Sequence, residues 1–263
     1  MSALLLQDRR DGILRLTLND PASRNSLSSA MMQALHQAIA EAQALPAVRV
    51  IIIAATGPAF CAGHNLKEIA AHRSDADQGR GFFTALMAQC TELFLSIVHC
   101  PKPVIAEVQA TATAAGCQLV ASCDLAIAAD SATFATPGVN IGLFCSTPMV
   151  ALSRNVSPKA AMAMLLTGEP VPAAEALRIG LINQVVSPNE LAGAVDALAA
   201  KIASKSQITL KTGKQAFYRQ LDLPLEEAYA YAAGVMVENL MQRDAEEGIA
   251  AFIARRPPDW EDR

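Results

Sequence analysis

Apolar and polar positions alternate along residues 13–18 (ILRLTL), the period-two signature of a strand with one buried face, and Asn19-Asp20-Pro21 closes it with a turn. Residues 28–44 carry Ala, Met and Leu at helical spacing. Residues 48–55 (VRVIIIAA) form a nearly continuous apolar run, which predicts a strand covered on both faces. The chain then passes through GPAFCAGHN at 57–65, and a polar stretch at 72–80 predicts a mobile loop before a helix over 82–98. Pro101-Lys102-Pro103 leads into a strand at 104–108, and 125–128 predicts another. This alternation predicts an α/β core with mostly parallel pairing. From about residue 158 the pattern turns helical, over 159–166, 173–179, 190–204, 208–221 and 225–239. The expected division is a core at 1–195 and a helical region at 196–263.

Composition narrows the function classes. The 263 residues are 52% hydrophobic and 17% charged, enough for one large core, and with 5% aromatics that core is built from aliphatic side chains. A net charge of −4 with scattered Lys and Arg gives no footprint for nucleic acid or an anionic membrane surface. The apolar runs are read as too short to span a bilayer. Six cysteines lack CxxC or zinc spacing and read as reduced, buried thiols, so no metal site is expected. The start, MSALLLQDRRDG, lacks the charge order of a secretory signal, and a cytoplasmic location is expected.

Several segments carry a family resemblance. They are Leu18-Asn19-Asp20-Pro21 with Arg24-Asn25-Ser26-Leu27, then AFCAGHNLKE from residue 59, PKPVIAEV, AAGCQL, ASCDLAIA, LLTGEPVPAAEALRIGLINQVV and the terminal EGIAAFIARRPPDW. In this order the chain resembles the crotonase, or enoyl-CoA hydratase/isomerase, superfamily over essentially its whole length. The resemblance implies a spiral of repeated ββα units with a C-terminal helical oligomerisation region, assembled as a homotrimer or a dimer of trimers. It implies an acyl-CoA thioester as ligand, with coenzyme A entering as part of the substrate and no separate cofactor.

By position, the resemblance gives an oxyanion hole made by the backbone N–H groups of His64 and Ala115, the second at a helix N-terminus where the helix dipole assists. Small residues let the acyl chain approach the backbone, Gly63 and Gly116 among them. The coenzyme A arm is expected along Arg24, Ser26, Ala62, Asn65, Leu66 and Lys67, with Phe252 and Arg255 covering its adenine and phosphate end, often from a neighbouring subunit. Cys145 and Ser146 are expected at the acyl end.

Hydratases of this family use two glutamates for proton transfer at the α- and β-carbons. Gln118 occupies the first position and Gly138 the second, and an amide accepts no proton at neutral pH. Ordinary hydration is therefore expected to be weak, and restoring both carboxylates is expected to bring it back. Decarboxylation, thioester hydrolysis and non-catalytic acyl-CoA binding stay open. The His64 side chain either takes part or merely lines the pocket. Cys145 reads as a packed thiol, Asn140 as a turn residue, Glu68 as a first-turn carboxylate, and Glu107, in an otherwise apolar strand, as half of a structural ion pair.

Overall fold

The structure is a computed structural model, and it describes residues 3–263. A hairpin opens the chain, β1 (Leu5–Arg10) and β2 (Ile13–Leu18), followed by α1 (Ser29–Ala44), which Ser28 caps by accepting the Met31 N–H. Then come β3 (Val50–Ala55), β4 (Ala59–Cys61), α2 (Leu66–Ala71), α3 (Arg80–Val98), β5 (Val104–Val108), β6 (Thr111–Thr113) and α4 (Ala115–Ser122). The core continues through β7 (Leu125–Ala129), β8 (Thr133–Ala135), α5 (Ser146–Leu152), α6 (Pro158–Thr167), β9 (Val171–Pro172), α7 (Ala173–Arg178), β10 (Gln184–Val186) and α8 (Leu191–Ala203). The last helices are α9 (Gln207–Gln220), α10 (Leu225–Leu240) and α11 (Arg243–Ala254).

Two sheets result, β1-β2-β3-β5-β7-β10 and β4-β6-β8-β9. Successive strand pairs split between them. β3, β5 and β7 lie parallel in the first sheet, while β4, β6 and β8 lie parallel in the second. In the pairs β3–β4, β5–β6 and β7–β8 the chain crosses from one sheet to the other and a helical segment follows, which is the spiral of ββα units. The apolar run in β3 serves both faces: Ile51 and Ile53 enter the main core, and Val50, Ile52 and Ala54 pack under α8 with Leu191, Val195 and Ala199.

Three expectations change. The stretch at 72–80 is a hydrogen-bonded turn, with Asp77 accepting the N–H groups of Gly79 (2.9 Å) and Gly81 (2.7 Å) and the His72 ring stacked on Phe82 at 3.7 Å. The helix α3, at 19 residues, is long and apolar enough to cross a membrane, yet its Leu86, Cys90, Leu93, Phe94 and Ile97 face the core and it packs on α1. Residues 195 and 196 lie inside α8, which belongs to the core, and burial gives way to exposure at α9 and α10, which contain no buried residue.

The outer helices are tied back by polar contacts. Lys214 on α9 donates to Asp124 (2.7 Å) and to the carbonyls of Ile97 and Lys102, and Tyr218 donates to the same carboxylate at 2.9 Å. Buried Asp244 and Glu247 on α11 accept backbone N–H groups of Glu261, Asp262 and Asp259, which folds the terminal segment over the helix. Glu107 pairs with Arg15 on β2, and Arg15 also reaches Asp196 on α8 at 2.6 Å, so this carboxylate joins elements of the first sheet and its covering helix.

Because Lys214 is nearly buried, severing its pair leaves Asp124 short of its cation. Lys214→Met is expected to cost about 3 kcal/mol, a fall in Tm on the order of 6–12 °C by scanning calorimetry; an unchanged Tm would contradict the anchoring role.

Candidate functional site

Small residues bring two loops together. Gly63, at φ +83°, lies so close to the turn before α4 that a methyl group on it would stand 2.9 Å from Ala114 Cβ and 3.2 Å from the Ala115 nitrogen. One residue further along, a methyl on Gly116 would fall 2.1 Å from the Cys61 carbonyl oxygen. Only glycine permits either approach. The segment 61–64 and the start of α4 are thereby held in backbone contact.

This contact fixes the direction of two N–H groups. Leu27 donates to the Gly63 carbonyl (2.8 Å) and accepts from the Asn65 N–H (3.3 Å), so His64 between them turns its own N–H away from Leu27. Among the described residues no backbone carbonyl accepts the His64 N–H. Ala115, the first residue of α4, has no intrahelical acceptor for its N–H, and Ala114 offers no side-chain cap. The helix end is buried, and all eight residues of α4 are buried with it. Ala114 adopts φ 50° and ψ −119°, a conformation that costs an L-residue on the order of 1–3 kcal/mol. Its N–H is held by the Ala135 carbonyl at 2.8 Å, which locks the turn to β8.

Polar side-chain atoms around the turn are buried without hydrogen-bond partners among the described residues: Ser26 Oγ, both ring nitrogens of His64, Gln118 Oε1 and Thr136 Oγ1. Burial lowers the His64 pKa below its usual 6.5, against smaller opposing pulls from the Leu27 backbone and the Glu68 charge, so the ring is neutral at pH 7. The thiols are inert for the same reason. Burial pushes Cys61 and Cys117 up to about 12 and raises Cys145, whose sulfur sits against Gly138.

Other expected residues take structural places. Asn65 caps α2, its Oδ1 accepting from Lys67 (3.0 Å) and Glu68 (3.3 Å). Leu66 and Lys67 are exposed at the first turn of that helix, with Ala62 half-buried before it and donating its N–H to the Arg24 carbonyl. Glu68 turns back to accept the Ser29 N–H at 3.0 Å, capping α1. Arg24 is exposed in a left-handed turn. Phe252 and Arg255 are exposed on and just after α11, and among the described residues no hydrogen bond joins them to the α4 turn. A cleft of about 500 Å³ between the β1–β2 hairpin and α8, lined by Asp8, Arg10, Arg15 and Asp196, contains none of the expected site residues.

Sequence reasoning missed three contributors. Fully buried Asn25 clamps the loop with bonds to the Thr56 (2.7 Å) and Ala59 (2.9 Å) carbonyls and from the Asp20 N–H (2.8 Å). Thr136 is the lone hydroxyl between an apolar strand and a Pro-Gly turn, which was the available signal. The strain at Ala114 had no signal beyond the small-residue run itself.

With this geometry in hand, the comparisons give the class. The chain belongs to the enoyl-CoA hydratase/isomerase family, whose model matches residues 8–263. It is 48% identical over 252 residues to enoyl-CoA hydratase domain-containing protein 3, mitochondrial, of Rattus norvegicus, covering 96% of this chain and 82% of that protein. Among solved structures, an enoyl-CoA hydratase of Mycobacterium smegmatis superposes with a TM-score of 0.93 at 48% identity, covering 98% of this chain and 99% of that one. The human enoyl Coenzyme A hydratase domain-containing protein 3 gives 0.93 at 46% identity, covering 98% and 100%. These likenesses bear out the α/β crotonase fold. The expected cytoplasmic location is corrected: the relatives from rat, mouse, frog, human and zebrafish are all named mitochondrial.

The expectation that two glutamates could simply be reinstalled is also corrected. A Cβ at Gly138 would lie 2.8 Å from the Leu143 carbonyl oxygen and 2.9 Å from Cys145 Sγ. The Gln118→Glu, Gly138→Glu double variant is therefore expected to lose about 1–3 kcal/mol to overpacking and to gain no hydration of crotonyl-CoA, checked by urea unfolding and by loss of enoyl absorbance. Full stability with a gain in rate would contradict the crowding at 138.

Proposed function

We propose that this chain binds an acyl-CoA thioester and stabilises its enolate through the N–H groups of His64 and Ala115. The single observation that supports the reading is the backbone contact of Gly63 with Ala114 and Ala115, beside two N–H groups, of His64 and Ala115, that have no backbone acceptor among the described residues. Charge developing on a thioester oxygen between them would meet two donors and the positive end of a buried helix. In this reading the coenzyme A arm runs along Arg24, Ser26 and residues 62–67. Phe252 and Arg255 act on it from a neighbouring subunit. The exposed apolar face of α10, with Tyr229, Met236, Val237 and Leu240, supports a trimeric assembly or a dimer of trimers. By the names of the vertebrate relatives, the compartment proposed is the mitochondrion.

Proton transfer is the weak point of this site. Gln118 accepts no proton, Gly138 contributes only backbone, and His64 is the one titratable ring at the turn. Hydration of crotonyl-CoA is thus slow in this reading, since each missing acid–base group removes about 10²–10⁴. The same two positions favour a second reading, a non-catalytic acyl-CoA-binding protein.

A panel of crotonyl-, butyryl- and malonyl-CoA, followed by calorimetry, mass and absorbance, separates these outcomes. Binding is expected, with crotonyl-CoA hydrated at least about 10³-fold more slowly than by a two-glutamate relative. Among the described residues the His64 N–H serves no backbone acceptor, so His64→Pro removes the donor without breaking a backbone hydrogen bond there. It should lower any turnover by about 10²–10³. Binding without turnover across the panel would favour the second reading, and a failure to bind any ester would contradict both.

A further inference from the structure

We propose that the C-terminal strap, residues 256–263, sets the position of α11, and that Trp260 and Asp262 are thereby positioning residues for Phe252 and Arg255. The inference rests on the thioester reading above, in which those two side chains cover the adenine and phosphate end of coenzyme A. The helices that lead to α11, α9 and α10, contain no buried residue. The buried residues of α11 are Asp244, Glu247 and Ala251, which share one face, and two of the three are carboxylates. A face of that kind needs hydrogen-bond donors rather than an apolar core. The strap supplies them. Asp244 accepts the N–H groups of Glu261 (2.8 Å) and Asp262 (3.0 Å), and its own N–H donates to the Arg263 carbonyl (2.9 Å). Glu247 accepts the Asp259 N–H (2.9 Å) and both prongs of the Arg256 guanidinium (2.5 and 2.8 Å).

The reversal starts at Arg255 itself. It is left-handed at φ 54°, and the Arg256 N–H closes onto the Ala251 carbonyl at 3.0 Å. The far end of the strap is fastened to the body of the fold. The Trp260 ring lies against α11, so that a methyl on Gly248 would stand 3.1 Å from its Cη2, and its Nε1 donates to the Ser204 carbonyl at the end of α8 (3.0 Å). Asp262 accepts from Arg49, next to β3, at 2.8 Å and from the Gln207 N–H at 2.7 Å. Arg49 in turn donates to the Ala203 carbonyl at 2.7 Å. The strap thus joins α11 to α8 and β3 directly, bypassing α9 and α10. With one face of α11 held, Phe252 stays 85% exposed and Ile253 75% exposed. Any rotation of α11 on a loosened strap would carry Phe252 and Arg255 with it.

The test compares butyryl-CoA with butyryl-pantetheine, which lacks the adenosine and its phosphates, by titration calorimetry on the full chain. Trp260→Ala and Asp262→Ala should each weaken butyryl-CoA about tenfold, because two covering side chains lose their preordering, and should leave butyryl-pantetheine unchanged. Asp262→Asn, which keeps an acceptor oxygen, should lose less than Asp262→Ala. In a Phe252→Ala background Asp262→Ala should have a smaller effect than in wild type. Fold and assembly are checked by circular dichroism and sedimentation, and Asp262→Asn serves alone, with a smaller selective loss, if the alanine variants do not fold or assemble. An equal loss for both esters would mark a merely structural strap and overturn the proposal, as would no loss for either. Equal binding of the two esters by wild type would overturn it while leaving the thioester reading in place. Binding of neither ester by wild type would sink the thioester reading, and this inference with it.

Discussion

The structure depends on a close approach of two backbones. Gly63 and Gly116 have no side chain, and each sits where even a methyl group would collide with the opposite segment. Without that approach, the His64 N–H and the uncapped start of α4 would belong to separate surfaces. With it, Gly63, the residue before His64, packs directly against the turn that opens α4. The fold pays at Ala114, whose backbone is held in an unfavourable region by a hydrogen bond to β8 and by contact with the glycine opposite. Strain that is locked from both sides is a mark of a positioned group rather than of a loose turn.

The spiral makes the approach possible. Each turn delivers one strand to the six-stranded sheet and the next to the four-stranded sheet, so the ends of β4 and β6 lie side by side. His64 follows the first and Ala115 the second. Asn25 pins the loop before α1 to the β3–β4 connection, and Glu68 ties α2 to the start of α1. The outer helices hold on by charge more than by apolar burial. Asp124 anchors α9, and Arg49 links the start of β3 to Asp262 at the C-terminus. α10 and α11 leave apolar side chains exposed, among them Tyr229, Met236, Val237, Phe252 and Ile253.

Much of the fold was legible because its signals are local. The unbroken apolar run in β3 announced a strand buried on both sides, and the motifs in their order announced the family. The small residues of AGHN and AAG marked where backbones meet. What the sequence withheld was long-range. Glu107 read correctly as half of an ion pair, but its partner, Arg15, lies 92 residues away and had no local signal. Gly138 read as a missing carboxylate, whereas Leu143 and Cys145 show that its backbone has no space for a side chain. The 72–80 stretch read as a loop because a turn closed by Asp77 and a His72–Phe82 stack leaves no periodic pattern. Thr136 was passed over because one hydroxyl between a strand and a turn says nothing until its burial is known.

The direct measurement is a crystal structure of the protein with a CoA thioester bound. The account predicts the thioester oxygen within about 3 Å of both the His64 and the Ala115 backbone nitrogens. An ester bound with its carbonyl elsewhere, or with either amide turned away from it, would contradict the account.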